Sequence, residues 1–298
     1  MPARDVILLV LAGFAGQFLW AWLAALRQDR RRRREAAASG GSARPSLSGL
    51  ATGFLTDFLD TLGIGSFATT TAIFKLARMV PDELIPGTMN VGHTLPTILE
   101  AFIFIRIIRV DLTTLALLIA ASVVGAWWGA GVVARLPRRT VQLGMGAALT
   151  AGVIFMAIGQ LGWFPAGGDK LLLRGWPLVI GMAGTCVFGA LNTLGVGFYA
   201  PAMILVSLLG MVPLAAFPIM MGSAAFLMPV ASRRFVQDRA YQPRAAAGLA
   251  LGGLPAVLLA AFIVKSLPLG MLRLLVLAVA SWAALLLFRS ARAPSRAS

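Results

Sequence analysis

Charge is what this chain is short of. Only 12% of its 298 residues are charged, against 59% that are hydrophobic, whereas a soluble domain carries about one quarter charged residues. That deficit excludes a sizeable soluble domain. With a mean hydropathy of +0.86 and recurrent apolar stretches long enough to cross ~30 Å of hydrocarbon, the chain reads as an all-α integral membrane protein. Cysteine is nearly missing: Cys186 stands alone, which excludes an internal disulfide and any multi-cysteine metal site. Histidine is as scarce. His93 has no second imidazole or thiolate with which to share a metal, so no metal site is expected, and no cofactor is implied. Sequence patterns for a hydrolase triad, a phosphate-binding loop or a zinc-binding helix are lacking too, so an enzyme is not expected.

The formal net charge is +15, and 23 arginines accompany three lysines. With much alanine, that balance points to a GC-rich bacterial gene. The arginines sit in short loops between apolar segments, where the positive-inside bias and anionic headgroups account for them. The partner they imply is the bilayer. Nucleic acid is not expected, because there is no basic face on a folded polar domain. Asp5 to Leu26 is apolar and is followed by Arg27 and by Arg30 to Arg34. A secretory signal has the opposite order of charge and apolar run, so residues 1–26 read as a retained transmembrane helix with its N-terminus outside. Residues 27–46 then form a basic cytoplasmic linker, whose stretch from Ala36 to Pro45 is rich in Ala, Ser and Gly.

The rest of the chain says one thing twice. Asp60-Thr61-Leu62-Gly63-Ile64-Gly65-Ser66-Phe67-Ala68 returns 132 positions later as Asn192-Thr193-Leu194-Gly195-Val196-Gly197-Phe198-Tyr199-Ala200. The offset also relates Met79-Val80-Pro81 to Met211-Val212-Pro213, and Pro86 to Pro218. Many transporters are two copies of one bundle with the substrate between broken helices. The expected organisation is a first repeat over 47–160, a loop over 161–175, a second repeat over 176–288 and a basic tail over 289–298, which the positive-inside rule puts in the cytoplasm. Each arm beside a Gly-x-Gly break is about 15 residues, or ~22 Å, short of a full crossing. Re-entrant hairpins would make the two copies inverted; single broken crossings would make them parallel. Arm length favours the inverted arrangement, and the Lys and Arg distribution favours neither.

Within a bilayer, irregular backbone is tolerated only where it is buried in protein or lines a cavity. A helix restarting at Gly65 or Gly197 offers free N–H groups and the positive end of its dipole, which suit an anion. Close packing by small residues is the structural alternative. Polar neighbours favour a site: Asp60 and Thr61 before the first break, Ser66, Thr69, Thr70 and Thr71 after it, Asn192 and Thr193 before the second, Tyr199 after it. The predicted substrate-binding residues are Thr61, Gly63, Gly65, Ser66, Asn192, Thr193, Gly195, Gly197, Tyr199 and Asn90. Asp57 and Asp60 share a helix face, and an intramembrane acid is a functional candidate by default. They would handle a proton or a cation; alternatively Asp60 caps the restarting helix and Asp57 reaches water. Asn90, His93, Thr94, Thr97 and Glu100 form a polar stripe on the helix after Pro86. The predicted proton-coupling residues are therefore Asp57, Asp60, His93 and Glu100.

The broken apolar segment, the short segment after it, the Pro81 turn and Pro86-Gly87-Thr88 opening the next helix resemble the sulfite exporter (TauE/SafE) family of permeases, as do the basic turns at Arg106 to Asp111 and Arg135 to Arg139. The resemblance covers roughly residues 47 to 288. It implies export or uptake of small sulfur-containing anions such as sulfite, thiosulfate or organosulfonates, across a bacterial inner membrane. The competing expectations are a cation or metal-ion transporter using the Asp57/Asp60 pair, and a non-transporting membrane scaffold using the apolar outer faces. Homo-oligomerisation is open.

Overall fold

A computed structural model describes residues 3–35, 45–132, 168–192 and 198–266, with scattered positions between 143 and 157 and between 268 and 289. Among them the regular structure is helical, with one isolated bridge between Lys170 and Met211. The helices are α1 (Ala3–Glu35), α2 (Leu47–Thr61), α3 (Ser66–Leu76), α4 (Ile85–Ile107), α5 (Leu112–Val132), α6 (Trp176–Asn192), α7 (Tyr199–Leu208), α8 (Ala216–Gln237) and α9 (Pro243–Ser266). Short 3-10 turns at Asp82–Leu84 and Pro213–Ala215 precede α4 and α8. Arg4–Gln28, Pro213–Gln237 and Pro243–Val264 are long and apolar enough to cross a membrane, so the chain is an all-α membrane protein. The last part of each expected repeat, up to 160 and up to 288, falls largely outside the described residues. Helix α1 runs on past Leu26 through the arginines to Glu35, because arginine is a strong helix former and no Gly or Pro intervenes.

The chain divides into two compact units, Met1–Arg106 with Ala224–Ile263, and Ile107–Ser223 with Val264–Ser298. In the first, α2 starts at Ser46, whose hydroxyl accepts from the Gly49 N–H at 3.1 Å, satisfying one of the free donors of the first turn. Gly53 lets α2 lie against α9: a Cβ there would be 2.6 Å from Leu249 Cα. Helix α3 returns antiparallel to α2, bringing Met79 Sδ to 3.9 Å from the Thr52 hydroxyl. Phe74, Val80, Ile85, Met89, Ala245 and Leu249 pack together at the open end of that hairpin. Helix α4 begins at the same end, where the Thr88 hydroxyl accepts from the Gln242 N–H at 2.9 Å. It finishes beside the start of α1, where Arg4 donates to the Arg106 carbonyl at 3.4 Å. Midway, Thr94 and Ser232 share a hydroxyl–hydroxyl bond of 2.8 Å between α4 and α8. Phe18 and Trp22 of α1 pack with Val91, Val236, Tyr241 and Ala246.

In the second unit Asp111 caps α5, its carboxylate accepting from the Thr114 N–H at 2.8 Å and the Thr114 hydroxyl at 2.9 Å. The same hydroxyl accepts from the Leu173 N–H at 3.1 Å, tying the segment before α6 to the start of α5. Small residues set the α5–α6 approach: a Cβ on Gly125 would lie 2.7 Å from Cys186 Cα, and one on Gly189 2.9 Å from Ser122 Cα. Close approach by small residues is how membrane helices gain packing without a hydrophobic drive between them. Helix α7 doubles back on α6, with Leu209 at the level of Gly181 and Leu205 at Gly184.

Candidate functional site

The first Gly-x-Gly break is a helix end and a helix start joined by four residues, Leu62 to Gly65. Gly63, at φ 90°, takes the left-handed conformation. Its N–H donates to the Asp60 carbonyl at 2.7 Å and the Ile64 N–H to the Leu59 carbonyl at 3.0 Å, the paired bonds of a Schellman motif. Gly65, at φ 87°, then redirects the chain into α3. The Ser66 N–H, at the start of α3, donates to Asp60 Oδ1 at 2.6 Å. The donors expected to face a substrate at Gly63 and Ser66 are thus engaged within the protein. Asp60 sits one turn before the break, so its carboxylate reaches the positive end of α3 and does what a bound anion would do.

Above this cap lies a buried polar network, placed wholly within the first unit. His93 Nδ1 lies 2.7 Å from Asp57 Oδ1, and Nε2 lies 2.9 Å from the Thr70 hydroxyl. Asp57, Thr70 and His93 are each 0% exposed. One turn along, the Thr61 hydroxyl lies 2.6 Å from Glu100 Oε1 and 2.7 Å from the Asp57 carbonyl, and Glu100 is buried too. The spacing explains the assembly: α2 supplies Asp57, Asp60 and Thr61 on one face, α3 supplies Thr70, and α4 supplies His93 and Glu100 two turns apart. Among the described residues Asp57 Oδ2 has no hydrogen-bond partner, and it abuts Gly253 of α9. An unsatisfied buried polar atom of this kind costs about 1–3 kcal/mol, so the network holds tension that a proton or ligand could relieve.

All four residues expected to handle protons, Asp57, Asp60, His93 and Glu100, are therefore buried in the same unit, on adjoining elements. Thr61, Gly63, Gly65 and Ser66 adjoin them. Asn90 does not join: it is half-buried and its amide donates to its own Pro86 carbonyl at 2.9 Å. Asn192 ends α6 and Tyr199, buried, begins α7 in the second unit. Thr193, Gly195 and Gly197 lie outside the described residues. Thr70 was named from the sequence as a polar neighbour of the break but not among the predicted binding or proton-coupling residues; Gly253 and Ser232 were not named. Thr70 had one signal, its place a turn after Ser66 on the returning arm; Gly253 had none, since contact between α9 and α2 is long-range.

No known protein family, no curated protein and no solved structure matches the chain.

Proposed function

We propose that the chain is a proton-coupled membrane transporter of small anions, built as two inverted repeats in a bacterial inner membrane. The observation that carries this reading is the hydrogen-bonded Thr70–His93–Asp57 chain, buried in a membrane protein beside Asp60 and Glu100. Ionisable groups at such positions are costly and mark proton relays or substrate paths. Asp60 supports the anion part. Its carboxylate holds the N-terminus of α3, and a small oxyanion of similar shape would compete for that place. Protonated Asp60 would yield it, so that anion and proton enter together. Sulfite, thiosulfate and organosulfonates are the substrates that the likeness to sulfite exporters implies.

The two hairpins support the duplication: α2–α3 and α6–α7 each end in a short turn, a Pro-containing segment and a long helix, in the same order. In both copies a 3-10 turn, Asp82–Leu84 or Pro213–Ala215, leads from the hairpin into the long helix that follows. The hairpin arms are short for a full crossing, which favours inverted copies. The arginines after Leu26 put the mouth of the first hairpin in the cytoplasm. The test is a stability screen of the purified protein against small anions and cations. Stabilisation by sulfur oxyanions, stronger at acid pH, is the expected result. Stabilisation by metal cations alone would transfer the reading to cation transport, and a protein that moves no solute in liposomes would be a scaffold.

A further inference from the structure

His93 is the only histidine in the chain, and both of its ring nitrogens are engaged, Nδ1 with Asp57 at 2.7 Å and Nε2 with Thr70 at 2.9 Å. A neutral imidazole carries one N–H, and its partners decide which nitrogen holds it. Opposite a carboxylate, Nδ1 donates to Asp57 Oδ1 and Nε2 accepts from the Thr70 hydroxyl. Opposite a carboxylic acid whose proton is on Oδ1, Nδ1 accepts and Nε2 donates to Thr70. We propose that Thr70, His93 and Asp57 are a proton relay whose loaded and unloaded states differ by the tautomer of His93.

The step balances. A hydronium ion, admitted when the bundle opens around the buried Thr70, gives its proton to the Thr70 oxygen and leaves water as that hydroxyl passes its own proton to Nε2, and the imidazolium then gives its Nδ1 proton to Asp57 Oδ1. One O–H bond of hydronium breaks and one O–H bond forms on Asp57, the ring N–H moves from Nδ1 to Nε2, and Thr70 is again a hydroxyl. Within the protein the only charge change is neutralisation of the carboxylate. Gly253 limits the geometry: a Cβ there would overlap Asp57 Oδ2 and lie 2.6 Å from Pro96 Cγ. Among the described residues Oδ2 has no partner, so Oδ1 is the oxygen placed to receive the proton. The other groups facing the relay are Asp60 on α2, Glu100 on α4 and the Phe67 ring of α3, 6.2 Å from the imidazole; α9 brings Gly253 and no charge. A hydrolase would use the same order of atoms to activate the hydroxyl, but Thr70 is fully buried, which keeps a substrate carbonyl away.

The inference rests on the transporter reading and names Thr70 as a residue of its proton path. Because one histidine is present, the full chain labelled with 15N-histidine and reconstituted in lipid nanodiscs gives one signal per ring nitrogen. Between about pH 8 and pH 5, the Nδ1–H tautomer is expected to give way to the neutral Nε2–H tautomer. Thr70→Val should abolish that exchange and Thr70→Ser should keep it. One tautomer at every pH, a plain titration to imidazolium, or an exchange that Thr70→Val leaves intact would each overturn the relay. The wild-type spectrum alone decides the first two should Thr70→Val fail to fold. Anion flux, measured separately, keeps the two readings apart: flux with a fixed tautomer sinks only the relay, and tautomer exchange without flux sinks only the transporter.

Discussion

Among the described residues, replacing His93 by leucine leaves Asp57 with neither oxygen hydrogen-bonded, since Oδ2 has no partner there and Oδ1 bonds to the imidazole. Breaking a buried pair in this way costs about 3–5 kcal/mol. Asp57→Leu keeps the branched shape and leaves His93 Nδ1 unpaired, a cost of about 1–3 kcal/mol. The double variant removes both orphans. Only the Thr70 hydroxyl then lacks its ring partner, and the loss should return to about 1–3 kcal/mol. Asp57→Leu/His93→Leu is therefore expected to be more stable than His93→Leu alone, a coupling that neighbours in one hydrogen-bond network produce. Detergent-driven unfolding in mixed micelles, followed by tryptophan fluorescence, measures all four corners of the cycle. Losses that simply add would refute the pairing of these two side chains.

Other outcomes follow from the packing and the break. Gly53→Val should destabilise the protein by about 1–3 kcal/mol, because its Cβ meets the Leu249 backbone of α9; a thermal melt in detergent reads it, and an unchanged melt would put α2 elsewhere. A Cβ on Gly65 meets no atom within 4 Å, yet Gly65→Leu must hold φ 87° and ψ 128°, a strain of about 1–3 kcal/mol; the variant should fold but lose uptake, and wild-type flux would remove Gly65 from the site. Asp60→Asn keeps an acceptor for the Ser66 N–H but carries no exchangeable charge, so transport should lose its pH dependence. Single cysteines placed at Leu47 and Leu76, which are 83% and 90% exposed, in a Cys186→Ser background, should both react with an impermeant maleimide from the cytoplasmic side. Labelling from opposite sides would mean a broken crossing instead of a hairpin.

Helix positions were legible because apolar length and the Pro and Gly punctuation fix them. The turn at Pro81 and the break at Gly63 both fall where the residues put them. The end of α1 was not, since a charge run looks like a linker although arginine continues a helix readily. Site membership was partly legible. Intramembrane acids and one polar helix face are visible at the spacing of 57, 60, 93 and 100. Their pairing was not visible, because Asp57 to His93 and Thr61 to Glu100 join segments more than thirty residues apart. The helix restart at Ser66 reads from sequence in two ways, as a vacant anion site or as an end capped by Asp60; the cap is what forms, a competition that residue types alone do not decide. Asn90 shows the same limit, its amide taken by its own helix backbone at Pro86.

Simultaneous recording of anion and proton movement into proteoliposomes tests the central claim most directly. An inward gradient of sulfite, thiosulfate or a small sulfonate should drive proton entry with the wild-type protein, and Asp57→Asn should abolish the proton movement. Anion entry that carries no proton, or proton movement that survives in Asp57→Asn, would contradict the account.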